Sequence, residues 1–272
     1  MRRWLLCGVA FVAMGLEAGA ADMPDFLRGS STVISAPSGT RWDGVYVGGQ
    51  VGLAYSGTDF SNSTRSLVAF MLRNTTLETE VRPSSWTALG KADTSTSSYG
   101  GFIGYQSQWD VAVVGIEANY NRTNATMSAT DSIARSVGTT DGFVNNVRID
   151  GTASIHITDY GTMRLRGGWA AGSFMPYTFV GVALGRADVS RTARVTASGF
   201  NAAAGLTYNF NQTATEAKNG DFAYGYAAGL GIDMCITQNI FIRGEYEYVA
   251  FGEFNDLNTH IHTARVAAGF KF

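Results

Sequence analysis

The chain has 272 residues, 33 of them glycine and four proline, with a formal net charge of −2 and a mean hydropathy of +0.00. That balance excludes a nucleic-acid partner, which would call for a basic stripe. Past the first 20 residues no apolar run reaches the roughly 18–20 residues of a membrane helix. A β-barrel keeps hydropathy near zero because its lipid face occupies alternate residues.

The N-terminus has the three-part plan of a secretory signal. Arg2 and Arg3 precede an apolar stretch from Trp4 to Leu16, and Ala18-Gly19-Ala20 fits a small-x-small cleavage site. Residues 1–20 are read as the signal peptide and 21–43 as a Ser-, Gly- and Pro-rich periplasmic lead-in. Cys7 leaves with the signal, so Cys235 remains alone and no intramolecular disulfide can form.

Residues 44–272 are expected to be barrel, with strands at 44–57, 98–108, 111–122, 161–171, 176–188, 222–235, 239–251 and 259–272. The long connections, 58–97, 123–160 and 189–221, are rich in Ser, Thr, Asn and Ala, and they alternate with tight turns. Long loops therefore gather at one end and turns at the other, the asymmetry of outer-membrane barrels. The expected fold is all-β: an eight-stranded antiparallel transmembrane up-and-down β-barrel with long extracellular loops. Whether 123–160 is unstructured or prolongs its hairpin is left open by the pattern.

Successive side chains of a strand point to opposite faces. Val45, Val47, Val51 and Leu53 oppose Tyr46, Gly48, Gln50 and Gly52; Ile240, Ile242, Tyr246 and Tyr248 oppose Phe241, Arg243, Glu245 and Glu247. The strand charges Glu117, Arg164, Arg166, Asp233, Arg243, Glu245, Glu247, Arg265 and Lys271 all share the Gly-rich face. An Arg on the lipid face at mid-bilayer would cost roughly 2–4 kcal/mol, so this face is assigned to the lumen. Trp42, Tyr55, Trp109, Tyr120, Trp169 and Tyr248 are expected to form girdles at the two membrane interfaces. Phe270 and the terminal Phe272 are read as the signal recognised by the barrel-assembly machinery.

Several of these segments resemble the alphaproteobacterial outer-membrane immunogenic proteins, a family of small porin-like barrels with haemin-binding members. The likeness is carried by Trp42-Asp43-Gly44-Val45-Tyr46-Val47-Gly48-Gly49, by Gly104-Tyr105-Gln106 and Gly115-Ile116-Glu117-Ala118, by Arg164-Leu165-Arg166-Gly167-Gly168-Trp169, and by Pro176-Tyr177 through Gly181-Val182-Ala183. It continues in Arg243-Gly244-Glu245-Tyr246-Glu247-Tyr248-Val249 and the closing Arg265-Val266-Ala267-Ala268-Gly269-Phe270-Lys271-Phe272, and Ala21-Asp22-Met23-Pro24 resembles the family's mature start. It spans the strands, about half of the chain, and not the long loops, so it implies the fold and membrane but no ligand. The implied partners are outer-membrane lipid and lipopolysaccharide, with periplasmic chaperones and the assembly machinery during biogenesis.

Glu117, Arg164, Arg166, Arg243, Glu245, Glu247 and Arg265 are the candidate lumen residues. They admit two readings: a polar pathway for small solutes, or a network that fills the barrel. Eight strands enclose a space just wide enough for their own side chains, which favours the network and a structural or surface-exposed role. His260 and His262 share one face of the last strand, and His156 lies in the second long connection; these are the candidate haem ligands, of a runner-up haemin receptor. No Gly-x-Ser-x-Gly, phosphate loop or metal-spaced cluster accompanies them, so a lipid-modifying barrel enzyme ranks last among the alternatives and neither an enzyme nor a cofactor is expected.

Overall fold

The computed structural model describes residues 41–86, 88–252 and 257–272. The signal and most of the lead-in therefore lie outside the described residues. Eight strands run β1 (Gly44–Asp59), β2 (Lys91–Trp109), β3 (Ala112–Gly138), β4 (Val144–Trp169), β5 (Phe174–Asn201), β6 (Leu206–Cys235), β7 (Ile240–Phe251) and β8 (Asn258–Lys271). Each pairs antiparallel with its sequence neighbour, and β1 pairs with β8, so the ring closes and leaves no free edge within the barrel.

The wall has the alternation expected of it. Val51, Leu53, Ile103, Ile116, Met163, Leu165, Val182, Leu230 and Val266 stand exposed on the outside, while every second residue between them is drawn inward. Tyr55, Trp109, Tyr120 and Trp169 are exposed at the ends of this apolar band. Trp42 is not a girdle residue. It is buried in the turn-side mouth of the barrel, where its backbone N–H donates to Gln108 Oε1 at 2.7 Å and its ring lies beneath the Lys271 ammonium. It precedes the first strand residue, so strand parity does not govern its direction.

The strands are much longer on the loop side than their composition predicts. Residues 123–138 and 144–160 continue the β3–β4 ladder, and 189–201 and 206–221 continue β5–β6. At about 3.3 Å per residue, the 17 further residues of β4 add roughly 56 Å of strand length beyond the apolar band. On this four-stranded extension the polarity is inverted. Val147, Ile149, Ala193 and Val195 are buried on its inner face, while Arg148, Asp150, Thr192 and Arg194 point outward. The outer side chains make cross-strand pairs such as Arg148 with Ser132 at 2.9 Å and Thr192 with Thr215 at 3.0 Å. Lipid rewards apolar groups outside and water rewards them inside, so the inversion marks where the bilayer ends. The register slips between Ile157 and Asp159 and between Ala187 and Val189 fall at this border.

The first long connection forms a cap. It carries two short helices, α1 (Arg65–Met71) and α2 (Thr76–Val81), followed by a 3-10 turn at Pro83–Ser85. Thr75 caps α2 by accepting the Glu78 N–H at 3.2 Å. Val68, Met71, Leu72, Leu77 and Trp86 pack against Val147, Ile149, Ala193 and Val195, closing the concave side of the extension.

Candidate functional site

The charged residues converge inside the wall. Three ion pairs are direct register partners on neighbouring strands: Glu117 with Arg164, Asp233 with Arg243 and Glu245 with Arg265. Barrel closure then links them. Arg164 Nη1 donates across the lumen to Glu245 Oε1 at 2.8 Å and Glu247 Oε2 at 2.9 Å. Arg166 bridges Glu117 Oε2 at 3.0 Å and Asp233 Oδ2 at 2.8 Å, and Arg243 reaches Glu117 Oε2 at 2.9 Å and Asp233 Oδ1 at 2.7 Å. Arg265 binds Glu245 and lies 2.8 Å from Glu247 Oε2. Arg164, Arg166, Arg243 and Arg265 thus face Glu117, Asp233, Glu245 and Glu247, four charges of each sign. All eight are buried, and such charges persist in a wall of low dielectric only when paired and hydrogen-bonded.

Aromatic rings seat the network. Tyr46 OH donates to Glu117 Oε2 at 2.8 Å, and Tyr177 OH donates to Glu245. Each ring lies over a glycine of the neighbouring strand, Tyr46 over Gly104 and Tyr177 over Gly231, where a Cβ would collide with it. The guanidinium of Arg164 stacks 4.2 Å from the Phe179 centroid, and that of Arg243 4.3 Å from Phe102. Toward the loops follow Gln50, Asn119 and Asn121, bonded to one another, and then an apolar layer that includes Ala54, Phe60, Leu89, Ile155, Ile157, Val249 and Ile261. The lumen is filled from the Trp42 end to the cap.

All seven charges singled out from the sequence come together here. Asp233 belongs with them and was left out of that set, although it stands opposite Arg243 across the short β6–β7 turn. Tyr46 and Tyr177 were also missed; the parity of their strands places both on the charged face.

His260 and His262 stand side by side, with ring centroids 5.4 Å apart, but His156 does not join them. His260 and His262 lie on the outer face of β8 beside Tyr55, Tyr246 and Tyr248, and His262 Nδ1 is 2.6 Å from the Tyr246 hydroxyl. His156 is on β4, four strands away around the ring, with its Nδ1 2.7 Å from Thr126 Oγ1. Three outward imidazoles on opposite sides of a closed barrel cannot share one iron, so they do not fit a common haem site. Among the described residues no carboxylate hydrogen-bonds to His156, so Thr126 and His156 lack the orienting third member of a nucleophile–base constellation. Nor do three or more His, Cys, Asp or Glu gather in a metal-holding group among those residues.

The outer membrane protein beta-barrel domain family matches residues 29–272. No curated protein matches the chain. Among solved structures, OprG of Pseudomonas aeruginosa is similar at 11% identity and a TM-score of 0.37, with 85% of this chain and 96% of that one covered. Ail, the attachment invasion locus protein of Yersinia pestis, is similar at 12% identity and a TM-score of 0.34, covering 85% and 100%. The Neisserial surface protein A is similar at 13% identity and a TM-score of 0.32, covering 84% and 97%. At these scores and identities none of the three carries an argument about ligand or activity.

Proposed function

This chain belongs to the outer membrane protein beta-barrel domain family of the Gram-negative outer membrane, and from that premise we propose that it is a closed, non-catalytic anchor that holds a rigid capped extension outside the cell. One observation carries the reading: the lumen is occupied by a charge-balanced network of four arginines and four carboxylates, with apolar layers toward the cap. A conduit would need a continuous wet path, and the buried state of all eight charges argues against one.

The strand motifs support placing the chain with the alphaproteobacterial outer-membrane immunogenic proteins, while the distance of His156 from the His260–His262 pair gives no support to a haemin site built from all three. Lipid and lipopolysaccharide surround the apolar band in this reading. Phe270 and Phe272, 5.0 Å apart between centroids at the closing seam, serve recognition by the barrel-assembly machinery.

The test is planar-bilayer conductance of the refolded barrel, with folding verified by heat-modifiable gel migration. Electrical silence is the expected result. The double variant Arg164→Ala/Glu245→Ala, which empties the middle of the lumen, should raise the leak. Reproducible unitary steps from the unaltered protein would overturn the anchor reading in favour of a porin.

A further inference from the structure

The cap does not fill all the space beneath it. Between α2 and the tips of the β3–β4 and β5–β6 hairpins lies a cavity of about 260 Å³. It is separate from the lumen network and faces the outside. Its aromatic wall is made by Phe143 and Tyr208, whose rings meet edge to face with centroids 5.4 Å apart, together with Phe210. Its polar atoms form a chain. Tyr208 OH donates to Asn145 Oδ1 at 2.6 Å, Asn145 Nδ2 donates to Thr139 Oγ1 at 2.9 Å, and Thr139 Oγ1 donates to Asp141. Thr75 and Thr76 of the cap line the opposite side.

We propose that this cavity is a carbohydrate site that takes one uncharged or amino-bearing pyranose unit of a surface glycan. A pyranose presents an apolar C–H face and a rim of hydroxyls that both donate and accept. The cavity offers aromatic surface for the first and hydroxyl, amide and carboxylate groups for the second. Its size lies just under the roughly 300–1,000 Å³ of sites for drug-sized ligands, which suits a single ring. Asp141 is the one charged lining residue. The Thr139 hydroxyl, which donates to it, leads the causes that hold its carboxyl below the usual range, so it is ionised at neutral pH. Sulfated and phosphorylated sugars are therefore disfavoured. An alkylammonium group accepts no hydrogen bonds, so it would leave the hydroxyl and amide donors of the rim unanswered. This assignment goes beyond the anchor reading and stands whether or not the lumen conducts.

Saturation-transfer difference NMR on the full refolded barrel, in a detergent without a sugar headgroup, provides the test. The probes are methyl glucoside, methyl galactoside, methyl mannoside and methyl glucosaminide, with choline and a sulfated methyl glucoside alongside. Transfer to the ring protons of at least one methyl pyranoside is expected, falling at least threefold in Phe143→Ala. Asp141→Asn, an exposed change that leaves the apolar wall intact, should weaken the glucosaminide signal more than the neutral ones. The proposal is overturned if no pyranoside is saturated, if choline or the sulfated sugar responds as strongly, or if Phe143→Ala retains the full signal while migrating as a folded barrel.

Discussion

Arg164 and Glu117 face each other as direct partners on the β3–β4 ladder, and Arg164 Nε donates to Glu117 Oε1 at 2.9 Å with both side chains fully shielded. Arg166 and Arg243 bind the same carboxylate from the other side, each within 3.0 Å. One acid therefore contacts three guanidinium groups. Replacing it (Glu117→Gln) leaves excess positive charge in a wall that cannot hydrate it. Breaking a buried ion pair costs about 3–5 kcal/mol, and a loss in that range is expected in urea unfolding from lipid vesicles. A loss below about 1 kcal/mol, the level of an exposed pair, would show that the lumen is wet.

The inversion of polarity along β4 makes a paired prediction. Leu165 is 60% exposed within the apolar band, and Leu165→Arg should cost roughly 2–4 kcal/mol if it faces the bilayer midplane. Thr152 also points outward, but on the extension. Thr152→Arg should stay within about 0.5 kcal/mol, as for an ordinary surface change. Similar costs at the two positions would place the membrane border elsewhere.

Arg191 links the cap to the extension. Its Nη1 donates to the Ser63 carbonyl at 3.1 Å and its Nη2 to Glu216 Oε2 at 2.7 Å. That hydrogen bond leads the causes that hold the Glu216 carboxyl below its usual range. A carboxylate depressed in the folded state contributes stability above the ordinary carboxylate range and loses it as pH falls through the folded value. The effect is modest, because Glu216 is one-third exposed. Hydrogen-exchange protection of residues 65–81 should be higher in the unaltered protein than in Glu216→Gln at pH 7. The ratio of the two should approach one as the pH falls below the ordinary carboxylate range and through the depressed folded value. A ratio that does not change with pH would remove Glu216 from the latch.

The imidazoles can be tested directly. His260 and His262 are neighbours, but they pack among tyrosines and His262 Nδ1 is already hydrogen-bonded to the Tyr246 hydroxyl, so replacing both with alanine should leave any haemin-induced absorbance change unaltered. Its disappearance in that variant would restore the receptor reading.

Much of this was legible in the sequence. Alternation in β1, β3, β7 and β8 assigned each side chain to lipid or lumen, because the strand period of two is a local property. The short turn after Cys235 also brings Asp233 opposite Arg243, a pair open to reading and missed. The extension was less legible: 123–160 and 189–221 look like loops by their Ser, Thr and Asn content. Yet Val147, Ile149, Ala153, Ile155 and Ile157 alternate as strictly as the barrel strands do. Their apolar side faces inward, so a rule that takes every apolar row as lipid-facing cannot place them.

What the sequence determined by itself is the side to which each strand residue points. What only the tertiary structure decided is what waits on that side. Arg164 meets Glu245 and Glu247 because closing the ring brings β4 within reach of β7 across a lumen one side chain wide. The Phe143–Tyr208 cavity likewise exists only where the cap meets two separate hairpins. Local periodicity acts through neighbours along the chain, whereas these contacts join residues tens of positions apart that share only the geometry of closure.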